Sequence, residues 1–318
     1  MTTIAVVGSW ASMPSVETLQ AALPDDRIVA MRGDDLGPES GADAAFGGFR
    51  LERLRAMLAD VPTLRWIHTF SAGVDRHVPE MAGYERVLLT NNTGAYDVPI
   101  AEHVIGMIFA AAKRLPEHLA AQGRREWQRE VPHAEVRDST LVVLGLGSIG
   151  SELARLAAGV GMRVIGIRRD PGRRGGVGVD RVVSPERFIE VVGEADYLAV
   201  TAALTPQTRG MVSAAVLRAL KPTAWVINIA RGPIVDEAAL AAALAERRIG
   251  GAALDVFETE PLPATSPLWS LDNAILTPHI SNSSPKVRER SLALVVENVR
   301  RFKAGEPLLN LVDRSVGY

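Results

Sequence analysis

The sequence contains no cysteine, and its 35 lysines and arginines nearly balance its 37 aspartates and glutamates. The absence of cysteine excludes disulfide bonds and thiolate metal sites, and it is typical of a cytoplasmic protein. We predict no metal site. The net charge of −2 gives no indication of binding to a nucleic acid or to a membrane surface.

Long apolar runs are also missing. The most apolar helical segment, residues 104–112, is far shorter than the roughly 20 residues that span a bilayer. No basic region followed by a long apolar stretch opens the chain, so no signal peptide is predicted. Apolar residues make up 47% of the 318 residues, which is enough for the cores of two ordinary domains.

A glycine-rich segment, Gly145-Leu-Gly-Ser-Ile-Gly150, follows an apolar strand over residues 141–144 and precedes a helix predicted from Ser151 onward. In such a unit the first glycine permits a tight turn, and the second lets the backbone approach a pyrophosphate. The third lets the helix pack on the strand. Free N–H groups at the helix start attract the phosphate charge. The motif predicts a dinucleotide site that includes Gly145, Gly147, Ser148, Ile149 and Gly150.

The end of the next strand, over residues 164–167, indicates which dinucleotide is bound. A carboxylate near this point would accept a hydrogen bond from the ribose 2′-hydroxyl of NAD. Here Arg168 and Arg169 occupy the position, and a guanidinium can bind a 2′-phosphate at two points. NADP(H) is therefore favoured. NAD(H) stays possible, because the arginines can be solvated strand-end residues and Asp170 can serve a hydroxyl.

Segments of strand length alternate with segments of helical periodicity along the chain. Helices are predicted over residues 16–23, 49–59 and 237–246. Strands are predicted over residues 3–8, 27–31, 64–70, 87–90, 141–144, 164–167, 197–200, 224–229, 251–255 and 274–277. This alternation indicates parallel sheets. The predicted fold class is α/β, with two Rossmann-like or flavodoxin-like parallel-sheet domains and a cleft between them.

Two long helical patterns predict the domain boundaries. The first begins near Val98, where Pro99 suits a first helical turn, and apolar residues recur at Ile100, Val104 and Ile108. We interpret it as a crossover helix into the second domain. The second pattern, over residues 285–304, can return the chain to the first domain. We predict a dinucleotide-binding domain over residues 98–284 and a discontinuous substrate domain over residues 1–97 and 285–318.

Three candidate catalytic residues follow predicted strands: Arg231, Glu260 and His279. Ligands of open parallel sheets bind beyond the carboxyl ends of the strands, so we expect these residues to converge. Reduction of a ketone leaves negative charge on oxygen, which a protonated histidine can neutralise. A neighbouring carboxylate favours the charged imidazole, and an arginine can hold a substrate carboxylate at two points and polarise the carbonyl.

Each of these residues has a structural alternative. His279 can be a packed histidine after a strand, Glu260 a surface turn residue, and Arg231 a bridge to another carboxylate. Asp255, at the end of a strand, can cap or brace its own loop. The combination of such residues with a dinucleotide motif favours catalysis.

Several segments resemble the D-isomer-specific 2-hydroxyacid dehydrogenase family. They are the glycine motif, Leu204-Thr-Pro-Gln-Thr-Arg-Gly210, Asn228-Ile-Ala-Arg-Gly-Pro-Ile-Val-Asp236, Ala253-Leu-Asp-Val-Phe-Glu-Thr-Glu-Pro261 and Leu276-Thr-Pro-His-Ile280. The resemblance covers essentially the whole chain and is most specific over residues 92–280. It implies a nucleotide domain inserted in a substrate domain, an active site in the cleft between them, and a homodimer formed through the nucleotide domain.

The resemblance also implies roles for individual residues. His279 would be the acid/base with Glu260 as its partner, and Arg231 would bind and orient the substrate. Asp255 would bond the nicotinamide carboxamide. A loop implied to offer backbone N–H groups to a substrate carboxylate consists of Ser71, Ala72, Gly73 and Val74. Further cofactor contacts are implied for Leu204, Thr205, Ile229 and Ala230.

Two departures from the family pattern bear on specificity. Arg168 replaces the familiar acidic residue, which resembles the NADP-linked glyoxylate/hydroxypyruvate reductases. Tyr96, expected on the substrate side, stands where many relatives carry asparagine. The resulting prediction is NADPH-dependent reduction of a small 2-keto acid, such as glyoxylate or hydroxypyruvate, to the D-2-hydroxy acid.

Alternative functions on the same fold stay open. Phosphite dehydrogenases share the motifs, whereas formate dehydrogenases typically pair the histidine with glutamine, so Glu260 argues against formate. Corepressors that resemble the family use the fold as a dinucleotide-sensing interaction module and retain much of the catalytic set. Oxidation of NADPH that depends on a keto acid would distinguish an enzyme from such a module.

Overall fold

The computed structural model describes residues 1–8, 13–31, 36–37, 40–172 and 176–317. The chain divides into two compact units: unit 1 (Met1–Tyr96 with Ser284–Tyr318) and unit 2 (Asp97–Ser283). Each unit contains one sheet whose strands pair in parallel, which confirms the predicted α/β class. None of the helices in the described ranges combines the length and the apolar character that a membrane crossing requires.

Unit 1 is built on a five-stranded sheet. Its strands are β1 (Thr3–Val7), β2 (Arg27–Ala30), β3 (Ala44–Gly47), β4 (Trp66–Thr69) and β5 (Leu88–Thr90). Their order is β2-β1-β3-β4-β5. The helices that connect them are α1 (Val16–Ala22), α2 (Leu51–Asp60) and α3 (His77–Glu80). The middle strand, β3, is buried along its whole length and was not predicted from the sequence.

Unit 2 is built on a seven-stranded sheet. Its strands are β6 (Thr140–Leu144), β7 (Arg163–Ile167), β8 (Arg181–Val183), β9 (Tyr197–Val200), β10 (Trp225–Asn228), β11 (Gly251–Leu254) and β12 (Ala274–Leu276). Its helices are α4 (Asp97–Ala112), α5 (Leu115–Gly123), α6 (Ser148–Gly159), α7 (Phe188–Val192), α8 (Ala214–Ala219) and α9 (Glu237–Ala245). The chain then returns to unit 1 as α10 (Val287–Ala304).

The strand order of unit 2 is β12-β11-β10-β9-β6-β7-β8, so the direction of winding reverses between β6 and β9. Open parallel sheets bind ligands beyond the carboxyl ends of their strands at such a reversal. The glycine motif follows β6 and therefore lies at this point. The order in unit 1 reverses in the same way between β1 and β3.

All ten predicted strands are present, with ends that shift by at most two residues. The predicted start of α6 was wrong, because the helix begins at Ser148 instead of Ser151. Gly147 has an extended backbone and is the N-cap, so Gly150 lies in the first helical turn. The third glycine of the motif is thus a helical residue.

Hydrogen bonds link three side chains in the aromatic core of unit 1. His68 on β4 is fully buried, and its ring packs edge-on against Phe46, Trp66 and Phe70. Thr90 Oγ1 accepts the Trp66 indole N–H at 2.8 Å and lies 2.8 Å from His68 Nδ1. Burial lowers the pKa of His68 to about 3, although a hydrogen bond with an asparagine side chain acts in the opposite direction.

This buried histidine makes the stability of unit 1 depend on pH. His68 stays neutral in the folded protein down to about pH 3, whereas the ordinary pKa of a histidine is 6.5. The unfolded chain therefore binds more protons between these values, and stability falls as the pH falls. From pH 7 to pH 5 we expect His68 to account for a loss of about 2 kcal/mol in the free energy of unfolding.

Urea unfolding of the wild type and of His68→Gln at both pH values measures this contribution. The variant should be less stable at pH 7, but its stability should depend less steeply on pH. His133→Gln, a change at an exposed histidine, is the control and should leave the pH dependence of the free energy of unfolding unchanged. An equal pH dependence for the wild type and His68→Gln would contradict the assignment.

Candidate functional site

The turn after β6 has the backbone geometry that its glycines require. Gly145 has a φ of +107°, and a Cβ there would lie 2.6 Å from the backbone of Ala202. A Cβ at Gly150 would lie 2.1 Å from the Gly145 carbonyl oxygen. At Gly147, in contrast, no described atom lies within 4 Å of the Cβ position. The turn is therefore tight on its inner side and open at the N-terminus of α6, which fits a bound pyrophosphate.

Thr201, directly after β9, holds this turn from the neighbouring strand. Its hydroxyl donates to the carbonyl oxygen of Gly145 at 2.6 Å. The predicted cofactor residues Ser148 and Ile149 lie in the first turn of α6, the former exposed and the latter half-buried. Sequence reasoning missed Thr201, although its position at the end of a strand beside the glycine turn was a usable signal.

The loop after β9 is ordered by a local threonine pair. The backbone N–H of Thr205 donates to Thr208 Oγ1 at 2.8 Å, and Thr208 Oγ1 donates to the Ala203 carbonyl at 2.7 Å. Leu204 is half-buried and packs against the apolar core of unit 2. These contacts place Leu204 and Thr205 next to the sheet reversal, and their contact with a cofactor stays a prediction.

The arginines predicted to select the cofactor follow β7 directly. Arg168 extends the pairing of β7 with β8, because its backbone N–H donates to the Val183 carbonyl at 3.1 Å. Its side chain is half-buried. Arg169 is exposed. Asp170 Oδ1 accepts the N–H of Gly172 at 3.1 Å, so this carboxylate is used in a local turn. Which of these groups meets the ribose stays a prediction.

His279 and Glu260 form a direct pair. His279 Nδ1 lies 2.8 Å from Glu260 Oε2, and both side chains are partly exposed. The other carboxylate oxygen, Oε1, accepts the N–H of Phe257 at 3.0 Å, which orients Glu260 within its own loop. Because Nδ1 faces the carboxylate, Nε2 is the ring nitrogen left to meet a substrate. The pairing is the arrangement that the catalytic hypothesis requires.

Asp255 braces the segment that carries His279. Its Oδ1 accepts from the Ile280 N–H at 2.9 Å and from the Thr277 hydroxyl at 2.6 Å. Its Oδ2 accepts from the Ser281 N–H at 2.9 Å, and its carbonyl accepts from the His279 N–H at 2.9 Å. The loop-bracing alternative is therefore present in the structure. A nicotinamide contact of Asp255 stays a prediction.

A second histidine supports this brace from α4. His103 Nε2 lies 3.3 Å from Thr277 Oγ1. Since the Thr277 hydroxyl donates a hydrogen bond to the Asp255 carboxylate, its oxygen accepts a hydrogen bond from His103 Nε2–H. Burial lowers the pKa of His103, and the charge of Asp255 opposes this shift. Sequence reasoning missed His103 and Thr277, which carry no spacing pattern of their own.

Arg231 follows β10, and the glycine after it brings the neighbouring loop close. A Cβ at Gly232 would lie 1.9 Å from the carbonyl carbon of Phe257, so only glycine fits here. The Phe257 loop is the one that carries Glu260. The close approach therefore packs the turn of Arg231 against the loop of the acid/base pair.

The turn before Arg231 is fixed by Asn228. The Asn228 side chain donates to the Arg231 carbonyl at 3.0 Å and accepts the Ala230 N–H at 3.1 Å. Arg231 Nη1 donates to the Ala230 carbonyl at 2.7 Å. Ile229 and Ala230 are buried. The two predicted cofactor residues thus form the base of the turn, and the guanidinium is held beside it.

The loop Ser71–Val74 of unit 1 follows β4, and the carbonyl groups of its first two residues are turned toward the segment after β5. Ser71 O accepts the backbone N–H of Asn92 at 3.0 Å, and Ala72 O accepts from Asn91 Nδ2 at 2.8 Å. In a trans peptide the C=O and the following N–H point in opposite directions. The N–H groups of Ala72 and Gly73 therefore point away from the two asparagines.

These outward N–H groups fit an anion. Those of Ala72, Gly73 and Val74 have no acceptor among the described residues. The first two of these residues are half-buried, and Val74 is packed into the core of unit 1. Neighbouring backbone N–H groups without internal partners form a site for a carboxylate.

Tyr96 directs its hydroxyl at the backbone of unit 1. The side chain is only 3% exposed, and its hydroxyl donates to the Phe70 carbonyl, directly before the Ser71 loop. A direct contact of Tyr96 with a substrate stays a prediction. The structure shows a hydrogen bond of its hydroxyl to the backbone that precedes the loop.

Comparison with known proteins gives consistent matches. Residues 105–281 match the family model described as the D-isomer specific 2-hydroxyacid dehydrogenase NAD binding domain. A glyoxylate reductase of Korarchaeum cryptofilum is 35% identical over 263 residues, which are 80% of this chain and 78% of that protein.

Two solved structures are similar over the whole chain. A D-isomer specific 2-hydroxyacid dehydrogenase from Xanthobacter autotrophicus Py2, in complex with NADPH and MES, superposes with a TM-score of 0.87 at 34% identity and full coverage of both chains. An NADPH-dependent glyoxylate/hydroxypyruvate reductase from Sinorhizobium meliloti, in complex with NADP and sulfate, superposes with a TM-score of 0.84 at 28% identity. The match covers 99% of this chain and 100% of that one.

Proposed function

The chain belongs to the D-isomer-specific 2-hydroxyacid dehydrogenase family, and we propose that this NAD(P)-dependent enzyme uses NADPH to reduce a small 2-keto acid to the D-2-hydroxy acid. Glyoxylate and hydroxypyruvate are the proposed substrates. The relatives named above support the substrate class and the cofactor. The observation that carries the proposal is the 2.8 Å contact between His279 Nδ1 and Glu260 Oε2, in the same unit as the open glycine turn.

The acid in this reaction is His279. When bound, the cofactor supplies the hydride. His279 donates a proton from Nε2 to the ketone oxygen as negative charge develops there. Glu260 accepts from Nδ1 and so orients the ring, and its charge lies next to the imidazole that carries the proton. Asp255 fixes the backbone of His279 and of the two residues that follow it, so the ring keeps its direction.

Two groups of the chain bind and orient the keto acid. Arg231 places a planar cation toward the substrate, where it can hold a carboxylate at two points and polarise the carbonyl. The N–H groups of Ala72, Gly73 and Val74 donate hydrogen bonds to the carboxylate oxygens. Both interactions favour a substrate that carries a carboxylate next to the reacting carbonyl.

A rate panel tests the function. Glyoxylate, hydroxypyruvate, pyruvate and larger 2-keto acids are each assayed with NADPH and with NADH, and phosphite oxidation is assayed in the reverse direction. We expect the highest kcat/KM for a two- or three-carbon keto acid with NADPH. NADPH binding with no turnover of any keto acid would support the dinucleotide-sensing module instead, and phosphite-dependent reduction of the cofactor would support a phosphite dehydrogenase.

The choice of cofactor has its own prediction. If Arg168 holds the 2′-phosphate, NADPH should bind at least about 10-fold more tightly than NADH, because charge-assisted hydrogen bonds are among the strong ones. Arg168→Asp should narrow or reverse this ratio by repelling the phosphate, and NADH affinity should stay the same or rise. Fluorescence titration of both cofactors measures the ratio.

A matched control for this variant is Arg187→Asp. Arg187 lies in the same unit and pairs on the surface with Glu190 at 2.8 Å. Its replacement should leave the ratio of the two affinities unchanged. Equal affinities of the wild type for NADPH and NADH would mean that the arginines are solvated strand-end residues.

The proposed assembly is a homodimer formed through unit 2. Four apolar side chains of α4, α5 and the following segment are exposed: Phe109 (36%), Leu115 (47%), Leu119 (65%) and Trp127 (91%). Exposed apolar groups of this size are typical of an interface. Light scattering after gel filtration should give twice the chain mass. Changing both Leu119 and Trp127 to aspartate should lower the measured mass toward that of the monomer. Ile189→Asp on α7 is the control and should leave the mass unchanged.

A further inference from the structure

We propose that Tyr96 and Asn91 are positioning residues that hold the Ser71–Val74 loop with its N–H groups directed at the substrate carboxylate. The inference rests on the proposed function. It starts from three consecutive carbonyl groups, those of Phe70, Ser71 and Ala72, that are all bonded from the segment after β5.

Only two of these three bonds depend on side chains. The Ser71 carbonyl is bonded by the backbone N–H of Asn92, which any residue at that position would supply. The Phe70 carbonyl is bonded by the Tyr96 hydroxyl, and the Ala72 carbonyl by Asn91 Nδ2. The orientation of the first and the third peptide is therefore decided by two side chains that do not belong to the loop.

The amide of Asn91 is itself fixed in direction. Its Oδ1 accepts the Thr93 N–H at 3.2 Å, so Nδ2 is the atom turned toward the Ala72 carbonyl. Its backbone is tied to the C-terminal segment: the Asn91 N–H donates to the Asn310 carbonyl at 3.3 Å, and Asn310 Nδ2 donates to the Asn91 carbonyl at 3.3 Å. Asn91 is thus a rigid support.

Tyr96 has a similar effect on the entry to the loop. Phe70 has no exposed surface, so its carbonyl cannot exchange the Tyr96 hydroxyl for bulk water without movement of the chain. A buried acceptor without a partner is unfavourable. Without the hydroxyl, the peptide after Phe70 would rotate to find another donor. The same planar peptide carries the Ser71 N–H, which donates to Thr69 Oγ1 at 3.3 Å, so the rotation would also break this bond and shift Ser71, from which the peptides with the outward N–H groups continue.

The consequence is a role in carboxylate binding without contact with the carboxylate. Tyr96→Phe keeps the ring and its packing and removes only the hydroxyl. The variant should raise the KM for glyoxylate and the dissociation constant of oxalate, a dicarboxylate probe, by about 10-fold, the scale of one lost hydrogen bond. The affinity for NADPH should not change, because the glycine turn and Arg168 belong to unit 2.

Two further variants complete the experiment. Asn91→Asp is nearly isosteric but presents an oxygen to the Ala72 carbonyl, and it should weaken oxalate binding at least as strongly. Tyr84→Phe is the matched control, since Tyr84 is a partly buried tyrosine of unit 1 that packs on the core containing Val74. Its KM, oxalate affinity and NADPH affinity should equal those of the wild type.

Calorimetry with oxalate separates this proposal from the proposed function. A wild type that binds oxalate but reduces no keto acid would refute the function, while the oxalate affinities of the variants would still decide the role of Tyr96. Equal oxalate affinity in Tyr96→Phe and the wild type would overturn the positioning role. So would a wild type without measurable oxalate affinity, or an equal loss in Tyr84→Phe.

Discussion

His279→Ala is expected to lower kcat for keto-acid reduction by about 100- to 10,000-fold, the range that a general acid contributes. The ketone oxygen would then have no positioned proton donor as its charge develops. The glycine turn and Arg168 are untouched by the change, so NADPH should bind with nearly the affinity of the wild type. Steady-state kinetics and a fluorescence titration measure the two quantities separately.

A graded variant and a control accompany this prediction. Glu260→Gln keeps a hydrogen-bond acceptor near Nδ1 but removes the carboxylate charge beside the ring, so its kcat should fall by less than that of His279→Ala. His133→Ala, at an exposed position of the same unit, should keep full activity. A His279→Ala enzyme with the kcat of the wild type would exclude His279 from the mechanism.

Arg231→Lys should lower kcat/KM for the keto acid by about 100-fold, although the charge is kept. A lysine ammonium is a point charge, whereas the guanidinium is a planar fork that can bind a carboxylate at two points and hold the reacting geometry. This loss in kcat/KM should be much larger than the loss in NADPH affinity, which should be small. Kinetics at saturating NADPH with varied glyoxylate measure the effect.

The control for this change is Arg247→Lys. Arg247 is an exposed residue of unit 2 that pairs with Asp272 at 2.5 Å. Surface pairs of this kind contribute little, so kcat/KM should not change. Normal kinetics in Arg231→Lys would mean that Arg231 has a structural role, for which its 2.7 Å bond to the Ala230 carbonyl is the obvious candidate.

Much of the candidate site of unit 2 was accessible from the sequence, because its residues stand at the ends of strands. Strand periodicity is a local property, so the ends of β7, β10 and β12 were predicted to within two residues. Parallel strands direct their carboxyl ends to one edge. The meeting of Glu260 and His279 therefore followed from strand ends alone, once the strands were known to be neighbours.

The middle strand of unit 1 was not accessible in the same way. Ala44-Ala-Phe-Gly47 is short, and three of its four residues have small side chains. Because both faces are buried, the segment shows no alternation of apolar and polar residues. Its identity as a strand depends on β1 and β4, which pair with it from either side. Such long-range pairing leaves no local pattern.

The supports of the two candidate loops were also hidden. Thr277 and His103 contact each other although they are 174 positions apart in the chain, and Asn310 and Asn91 do so although they are 219 positions apart. A single hydrogen bond between distant segments has no periodicity and no characteristic spacing. Tyr96 was noticed as a departure from a pattern, but the sequence could not indicate that its hydroxyl meets a backbone carbonyl.

The sequence by itself determined the α/β class, the glycine turn, the arginines after β7 and the residues at the strand ends, because each depends on local propensity or on a motif of fixed spacing. The tertiary structure alone decided the strand orders, the close approach of Gly232 to Phe257 and the direction of the carbonyls around Ser71. Those features depend on which distant segments pack together. Close packing and the pairing of buried polar groups select one arrangement from many that the local pattern allows.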